Sequence, residues 1–226
     1  MKTEEPSSRT NSHLPLPTDP SLVKLFSLKA TTSLVKDPIL HSSSSQTSME
    51  VLGLRINTDL SYLEIYQSLG LNPPEPSGAA FCLAKVLERM VSANADRTPS
   101  KSIFHSKKIP GISIEKYLQR QAAYSRCSSE CFFLALIYLD RYFEKVPDQC
   151  LVPKNVHKLF FISLVTAVKF QDDLKLSNAD FAKLGGLDKY DLCLLEMQFL
   201  RSIAFNVNVS STEFVSYVKS VTEFME

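Results

Sequence analysis

The sequence predicts an all-α protein: a five-helix core, further helices flanking it on both sides, and a polar tail ahead of them. Three observations carry that expectation. Apolar residues recur at helical spacing through most of the chain after residue 58. The periodic stretches open on Ser, Asp or Pro and two of them close on Gly. Only 6 glycines stand among 226 residues against 12 prolines, too few to turn an antiparallel β-protein.

Taken in order, residues 1–50 are rich in serine, with Ser7, Ser8, Ser12 and the run Ser42 to Ser45. Such a composition cannot bury enough apolar area to offset its ordering entropy, so this tail is predicted disordered. Its acidic residues, Glu4, Glu5, Asp19, Asp37 and Glu50, set it apart from an acid-poor transit peptide. Over 58–69 the stripe Leu60, Leu63, Tyr66 and Leu69, followed by Gly70, predicts a short helix with a glycine stop. Pro73, Pro74 and Pro76 then break the chain before a stronger helix over 77–93, expected to bury Phe81, Ala84, Leu87 and Val91. Residues 94–111 read as a polar linker.

The core helices follow. Ser113 is the expected cap of a helix with the stripe Ile114, Tyr117, Leu118 and Ala122, and Ser128 that of one running through Cys131 to Leu139. This second helix is apolar all round, so it is predicted to be the buried centre. Pro153 is expected to open a third, nearly as apolar, and Ser177 a short fourth that ends at Gly185-Gly186. Asp188 caps a fifth with Leu192, Leu195, Phe199 and Ile203 on one stripe. Finally Ser210-Ser211-Thr212-Glu213 reads as the capping box of a last helix with Phe214, Tyr217, Val218 and Val221 inward. The organisation is a tail over 1–50, N-terminal helices and linker over 58–98, the core unit over 99–209 and a C-terminal helix over 210–226.

Composition excludes several functions. Lys+Arg 25 against Asp+Glu 24 gives +1, far from the basic excess that nucleic-acid binding draws on. No apolar run approaches the roughly 18 to 20 residues of a bilayer span, and the first thirty residues hold no signal-peptide h-region, so a soluble, non-secreted protein is expected. Five cysteines (Cys82, Cys127, Cys131, Cys150, Cys193), odd in number and scattered through apolar contexts, suit reduced core thiols. There is no phosphate-binding loop, and Gly185-Gly186 is better read as a helix end. The cysteines and His157 lack zinc-site spacing, so no metal and no cofactor is expected. His105 in the linker and His157, read as a partly exposed helix residue, offer no base to a nucleophile, and Asp172-Asp173 reads as a solvated loop. An enzyme is therefore not expected. Charged residues instead interrupt apolar helices at Asp140-Arg141, Lys169 and Glu196. Each has a local explanation: Lys169 complements a helix dipole, Asp140-Arg141 pairs locally, and Glu196 lies on a solvent stripe.

The stretch 112–209 resembles a cyclin box. Tyr138-Leu139-Asp140-Arg141-Tyr142 is similar to the family's Tyr-Ile-Asp-Arg-Phe, Ala167-Val168-Lys169-Phe170 to its Ala-Ser-Lys-Phe/Tyr, and Leu195-Glu196-Met197 followed by Ala204-Phe205 to its Met-Glu and Leu-x-Phe marks. More narrowly, Tyr117-Leu118, Asn155-Val156-His157-Lys158-Leu159 and Lys169-Phe170-Gln171-Asp172-Asp173 resemble the plant P-type (U-type) cyclins, relatives of fungal phosphate-signalling cyclins. The resemblance implies a single five-helix cyclin box and a non-catalytic regulator that binds and activates a cyclin-dependent protein kinase, in cell division or nutrient signalling, in nucleus and/or cytoplasm. It implies that Lys169 and Glu196 hydrogen-bond the kinase, with Asp140 supporting the interface. Where mitotic cyclins carry a Met-Arg-Ala-Ile-Leu docking segment, this chain has Gly111-Ile112-Ser113-Ile114-Glu115, so that docking site is not expected. With the sequence reaching Glu226, a single box rather than two is expected, and Lys107-Lys108 is too short for a nuclear-import cluster. Thr98-Pro99-Ser100-Lys101 has the form favoured by proline-directed kinases, making Thr98 a candidate phosphosite. The competing reading is a cyclin-fold transcription or nucleic-acid adaptor, which the missing basic stripe disfavours.

Overall fold

The helix without a polar face takes the centre. In the computed structural model, which describes residues 64, 66–67, 70, 72–173 and 176–226, every residue from Cys131 to Tyr142 is buried. Seven helices lie wholly among the described residues, which contain no strand: α1 Pro76–Ala93, α2 Ile114–Ser125, α3 Glu130–Lys145, α4 Val156–Gln171, α5 Asn178–Gly185, α6 Lys189–Ser202 and α7 Ser211–Met225. α4 lies along α3, α6 covers α4, and α5 joins α2 to α6. The flanking helices α1 and α7 touch each other and both pack on α3, while α1 also runs along α2. The tail over 1–50 and most of the helix expected over 58–69 lie outside the described residues. Of the latter, Tyr66 is buried edge-on to Phe214, and Gly70, at φ +68°, donates its N–H to Gln67.

Four caps form at the expected positions. Ser113, Ser177, Asp188 and Ser210 each accept the backbone N–H three residues on, and Ser177 with Asp180 completes a reciprocal box. At Ser210 only half of the expected box is made, because the Glu213 carboxylate accepts from Arg141 at 2.8 Å instead. Gly186 sits at φ +68°, and a Cβ on Gly185 would run into the Phe161 ring, so the first glycine lets α5 approach α4 and the second ends it.

Several expectations are corrected. Ser128 does not cap α3, which starts at Glu130 with Ser129 before it. Its hydroxyl and N–H both donate to the Asp172 carboxylate, at 2.7 and 2.8 Å, so Asp172 is a clip between the end of α4 and the start of α3, not a solvated loop residue. α4 opens at Val156, three residues after Pro153, because the Asn155 side chain holds the preceding turn, accepting from the Val152 N–H and donating to the Cys150 carbonyl. α1 buries Ala79, Ala80, Leu83, Ala84, Val86, Leu87 and Met90, while Phe81 is 39% exposed beneath the Lys85 ammonium and Val91 is half-buried. Packed on α2, α3 and α7, α1 turns its small residues to the close contacts and its Phe outward. His157 is buried, with Nε2 3.0 Å from the Ile112 carbonyl and the ring edge-on to Tyr117. Burial pushes its pKa below the usual histidine value, against the backbone hydrogen bonds that raise it. Cys127, Cys131 and Cys150 are core thiols as expected, but Cys193 is exposed and Cys82 half-buried.

The expected polar linker is an ordered strap. Phe104 is 1% exposed and meets Tyr142 and Phe199 edge-on, at 5.5 and 6.3 Å between ring centres. Gln149 donates to both the carbonyl and the hydroxyl of Ser100, the Ser106 N–H donates to the Lys154 carbonyl at 2.7 Å, and Asn94 donates to the Leu151 carbonyl. Phe104→Ala is expected to lower unfolding free energy by about 3–5 kcal/mol. Ile103→Ala, at a neighbour 51% exposed, should stay within about 0.5 kcal/mol, both variants being measured by urea unfolding.

Candidate functional site

α4 is buried along its length, so its last turn is where it can present a charge. Lys169 stands there, and its Nζ donates to Glu196 Oε1 and Oε2 at 2.6 and 2.7 Å and to Asn178 Oδ1 at 2.7 Å. Glu196 comes from α6 and Asn178 is the first residue of α5, so three helices converge on one ammonium whose three protons are all engaged. The Asn178 amide in turn donates to Cys193 Sγ at 3.2 Å. Lys169 also lies 5.8 Å above the Phe181 ring. The pair remains open to water, with 31% of the Lys169 side chain and 15% of the Glu196 side chain exposed. Phe170, the next residue along α4, is exposed, as are Leu194 and Met197 on α6. Glu196 is thus held in a three-helix junction rather than lying on a plain solvent stripe. A charged pair with exposed apolar side chains next to it along both helices has the composition of a protein-docking face.

Asp140 is placed elsewhere. Near the end of α3 and 4% exposed, it accepts the Tyr217 hydroxyl of α7 at 2.6 Å. Burial and the facing carboxylates of Asp140 and Glu213 raise the Tyr217 pKa, so the phenol stays a proton donor. Its neighbour Arg141 donates to the Asn206 carbonyl at 2.7 Å and to Glu213 at 2.8 Å, and the Tyr138 hydroxyl donates to the Val207 carbonyl. Asp140-Arg141 is therefore more than a local pair: with Tyr138 it fastens residues 206–217 across the end of α3. Thr98 is exposed at the start of the strap, two residues before the anchored Ser100.

No grouping of His, Cys, Asp and Glu among the described residues is arranged to hold a metal, and no helix there is long and apolar enough to cross a membrane. His157 is committed to Ile112, and His105 Nδ1 to the backbone N–H and hydroxyl of Ser102. An open groove of about 490 Å³ between α2 and α5 is lined by Arg120, Tyr124, Leu176, Asp180, Lys183 and Leu184. Sequence reading missed it, since the two helices are more than 50 residues apart in the chain. Asn178 was also missed as the third acceptor of Lys169. Its signal was its place directly after a Ser cap at the open end of a short helix.

Comparison with known proteins agrees with the fold. The family model described as Cyclin matches residues 41–207. The chain is 36% identical to Cyclin-U4-1 of Arabidopsis thaliana over 152 residues, covering 65% of this chain and 75% of that one. It is 36% identical to Cyclin-P3-1 of Oryza sativa subsp. japonica over 68% of this chain and 70% of the relative, and 39% identical to Cyclin-P4-1 of the same plant over 60% and 68%.

If the exposed pair serves docking and the buried one serves folding, their removal should be felt differently. Lys169→Ala is expected to change unfolding free energy by less than about 1 kcal/mol. Tyr217→Phe, which leaves a buried carboxylate short of a donor, is expected to cost about 1.5–3 kcal/mol. Urea unfolding followed by circular dichroism measures both.

Proposed function

The chain belongs to the cyclin family, and from that membership we propose that it is a non-catalytic regulatory subunit that binds and activates a cyclin-dependent Ser/Thr protein kinase. The observation that carries this reading is the Lys169–Glu196 pair amid exposed Phe170, Leu194 and Met197. With all three Lys169 protons engaged within the chain, the groups left to meet a partner are the outward lone pairs of Glu196. Glu196 accepts from kinase backbone or side-chain donors, Lys169 holds the carboxylate in aim, and the surrounding apolar side chains supply the buried area. Asp140 does not share this face and supports it only indirectly, by holding α7 on α3. Activation is a population shift: the kinase conformer with its catalytic Lys–Glu pair assembled is selected because it fits this face better. A role in cell division or nutrient-linked signalling, in nucleus and/or cytoplasm, is part of the same proposal and follows the resemblance to the plant P-type (U-type) cyclins.

The test is affinity capture of plant cyclin-dependent kinases by the full chain, with Lys169→Ala and Glu196→Ala proteins of unchanged helicity alongside. The wild type should retain a kinase and stimulate phosphorylation of a peptide substrate, and each variant should lose at least about tenfold in capture. A folded wild-type chain that retains no kinase overturns the reading. With the captured kinase and ATP, exposed Thr98 in Thr98-Pro99-Ser100-Lys101 should acquire one phosphate detectable by mass spectrometry. Thr98 left unmodified by an active complex removes it as a phosphosite.

A further inference from the structure

Lys107-Lys108, too short to carry weight in the sequence, is not isolated in the fold. The strap carries Lys101, His105, Lys107 and Lys108, and the Ser106 N–H is bonded to the Lys154 carbonyl at 2.7 Å, which sets this segment against the start of α4. Lys154 and Lys158 stand at that end of α4, whose first turn contains no acidic residue. His105, half-buried with its Nδ1 tied to Ser102, senses the cluster: burial lowers its pKa first, and Lys154, Lys101 and Lys158 lower it further. None of the five lysines has an ion-pair partner among the described residues.

Charge interactions fall off over about 10 Å at ordinary salt; His105 feels Lys101, Lys154 and Lys158, and the Ser106–Lys154 bond sets the Lys107-Lys108 backbone against Lys154. The five charges cannot spread apart, because the strap between them is anchored by Phe104 in the core and by Gln149 on Ser100. The patch is also not purely charged: Ile103 and Ile109 are 51% and 59% exposed and alternate with the lysines along the strap. That mixture decides the kind of partner. Base readout favours arginine forks and single strands stack on aromatic rings, whereas the cations of this patch are lysines, Arg97 further up the strap donating to Asn94 Oδ1, and the exposed apolar side chains are aliphatic. The net charge of +1 adds no long-range attraction for a polyanion.

We propose that the strap and the start of α4 form a docking surface for an acidic peptide segment of a partner protein, one that interleaves carboxylates with aliphatic residues. Carboxylates meet Lys101, Lys107, Lys108, Lys154 and Lys158, and aliphatic side chains cover Ile103 and Ile109. The surface is separate from the Lys169–Glu196 pair. Lys158 and Lys169 are eleven residues apart on α4, about 16 Å along its axis, so both ends can be occupied at once.

The experiment needs no kinase, so its failure leaves the kinase reading standing and the reverse also holds. The full chain is titrated into a fluorescein-labelled peptide of repeated Glu-Glu-Leu units and followed by fluorescence anisotropy at low and raised salt. The double variant Lys107→Glu/Lys108→Glu should weaken binding by at least about tenfold, while Lys189→Glu/Lys219→Glu, with the same change in net charge, stays within about twofold. A Glu-Glu-Ser peptide should bind several-fold more weakly, and Ile103→Ser/Ile109→Ser should erase that difference. Circular dichroism confirms that each variant is folded. Absence of binding, equal loss in the two charge-reversal variants, or duplex DNA binding more tightly than the peptide would each overturn the proposal.

Discussion

α3 has no polar side to turn toward water, and the rest of the chain is arranged around that fact. A sixteen-residue helix is about 24 Å long, and a face left uncovered anywhere along it would expose Phe, Leu or Ile. α4 and α6 cover part of it, and α1 and α7 are recruited from outside the five-helix unit to cover the remainder. The strap closes the last gap, where Phe104 reaches Tyr142. The polar residues of α3 are concentrated toward its end, where Tyr138, Asp140 and Arg141 spend their hydrogen bonds on residues 206–217. They convert a greasy contact with α7, which would slide, into one of defined register.

The same constraint places the candidate sites. α4 is buried over nearly its whole length, so charges can stand only at its ends. Lys169 occupies one end and is joined there by α5 and α6, while Lys154 and Lys158 occupy the other and are joined by the strap. Two chemically different surfaces on opposite ends of one helix follow from the helix being apolar between them.

Helix existence and the caps were legible in the sequence because each is written within a few consecutive residues. Ser113, Ser177, Asp188 and Ser210 each answer to an N–H three positions on. The features that were not legible join residues far apart in the chain. Asp172 reaches back 44 residues to Ser128, and His157 reaches 45 to Ile112. Periodicity finds the apolar stripe of one helix but not how that helix is rotated against its neighbours, which is why Phe81 was expected inside and lies outside. The polar linker was misjudged by average composition, which one buried phenylalanine does not shift. For the site, helix position explained Lys169 and Glu196 singly. Their juxtaposition, across 27 residues, was not legible in periodicity, and Asn178 was not anticipated at all.

The junction at Lys169 is already assembled in the free chain, and this bears on what it can contribute. A lone surface lysine and glutamate would each have to give up side-chain freedom on meeting a partner, at about 0.5–1.5 kcal/mol apiece. Here Asn178 and both glutamate oxygens hold the lysine, and the lysine holds the glutamate, so that ordering is complete before association. Because such an exposed pair adds little to folding, the fold does not depend on its identity. In the proposed docking role, side chains at the junction can therefore change the strength or choice of partner without disturbing α3. Cys193 belongs to the same network through Asn178, so a change at that thiol would be felt first in how Lys169 is held rather than in the stability of the core.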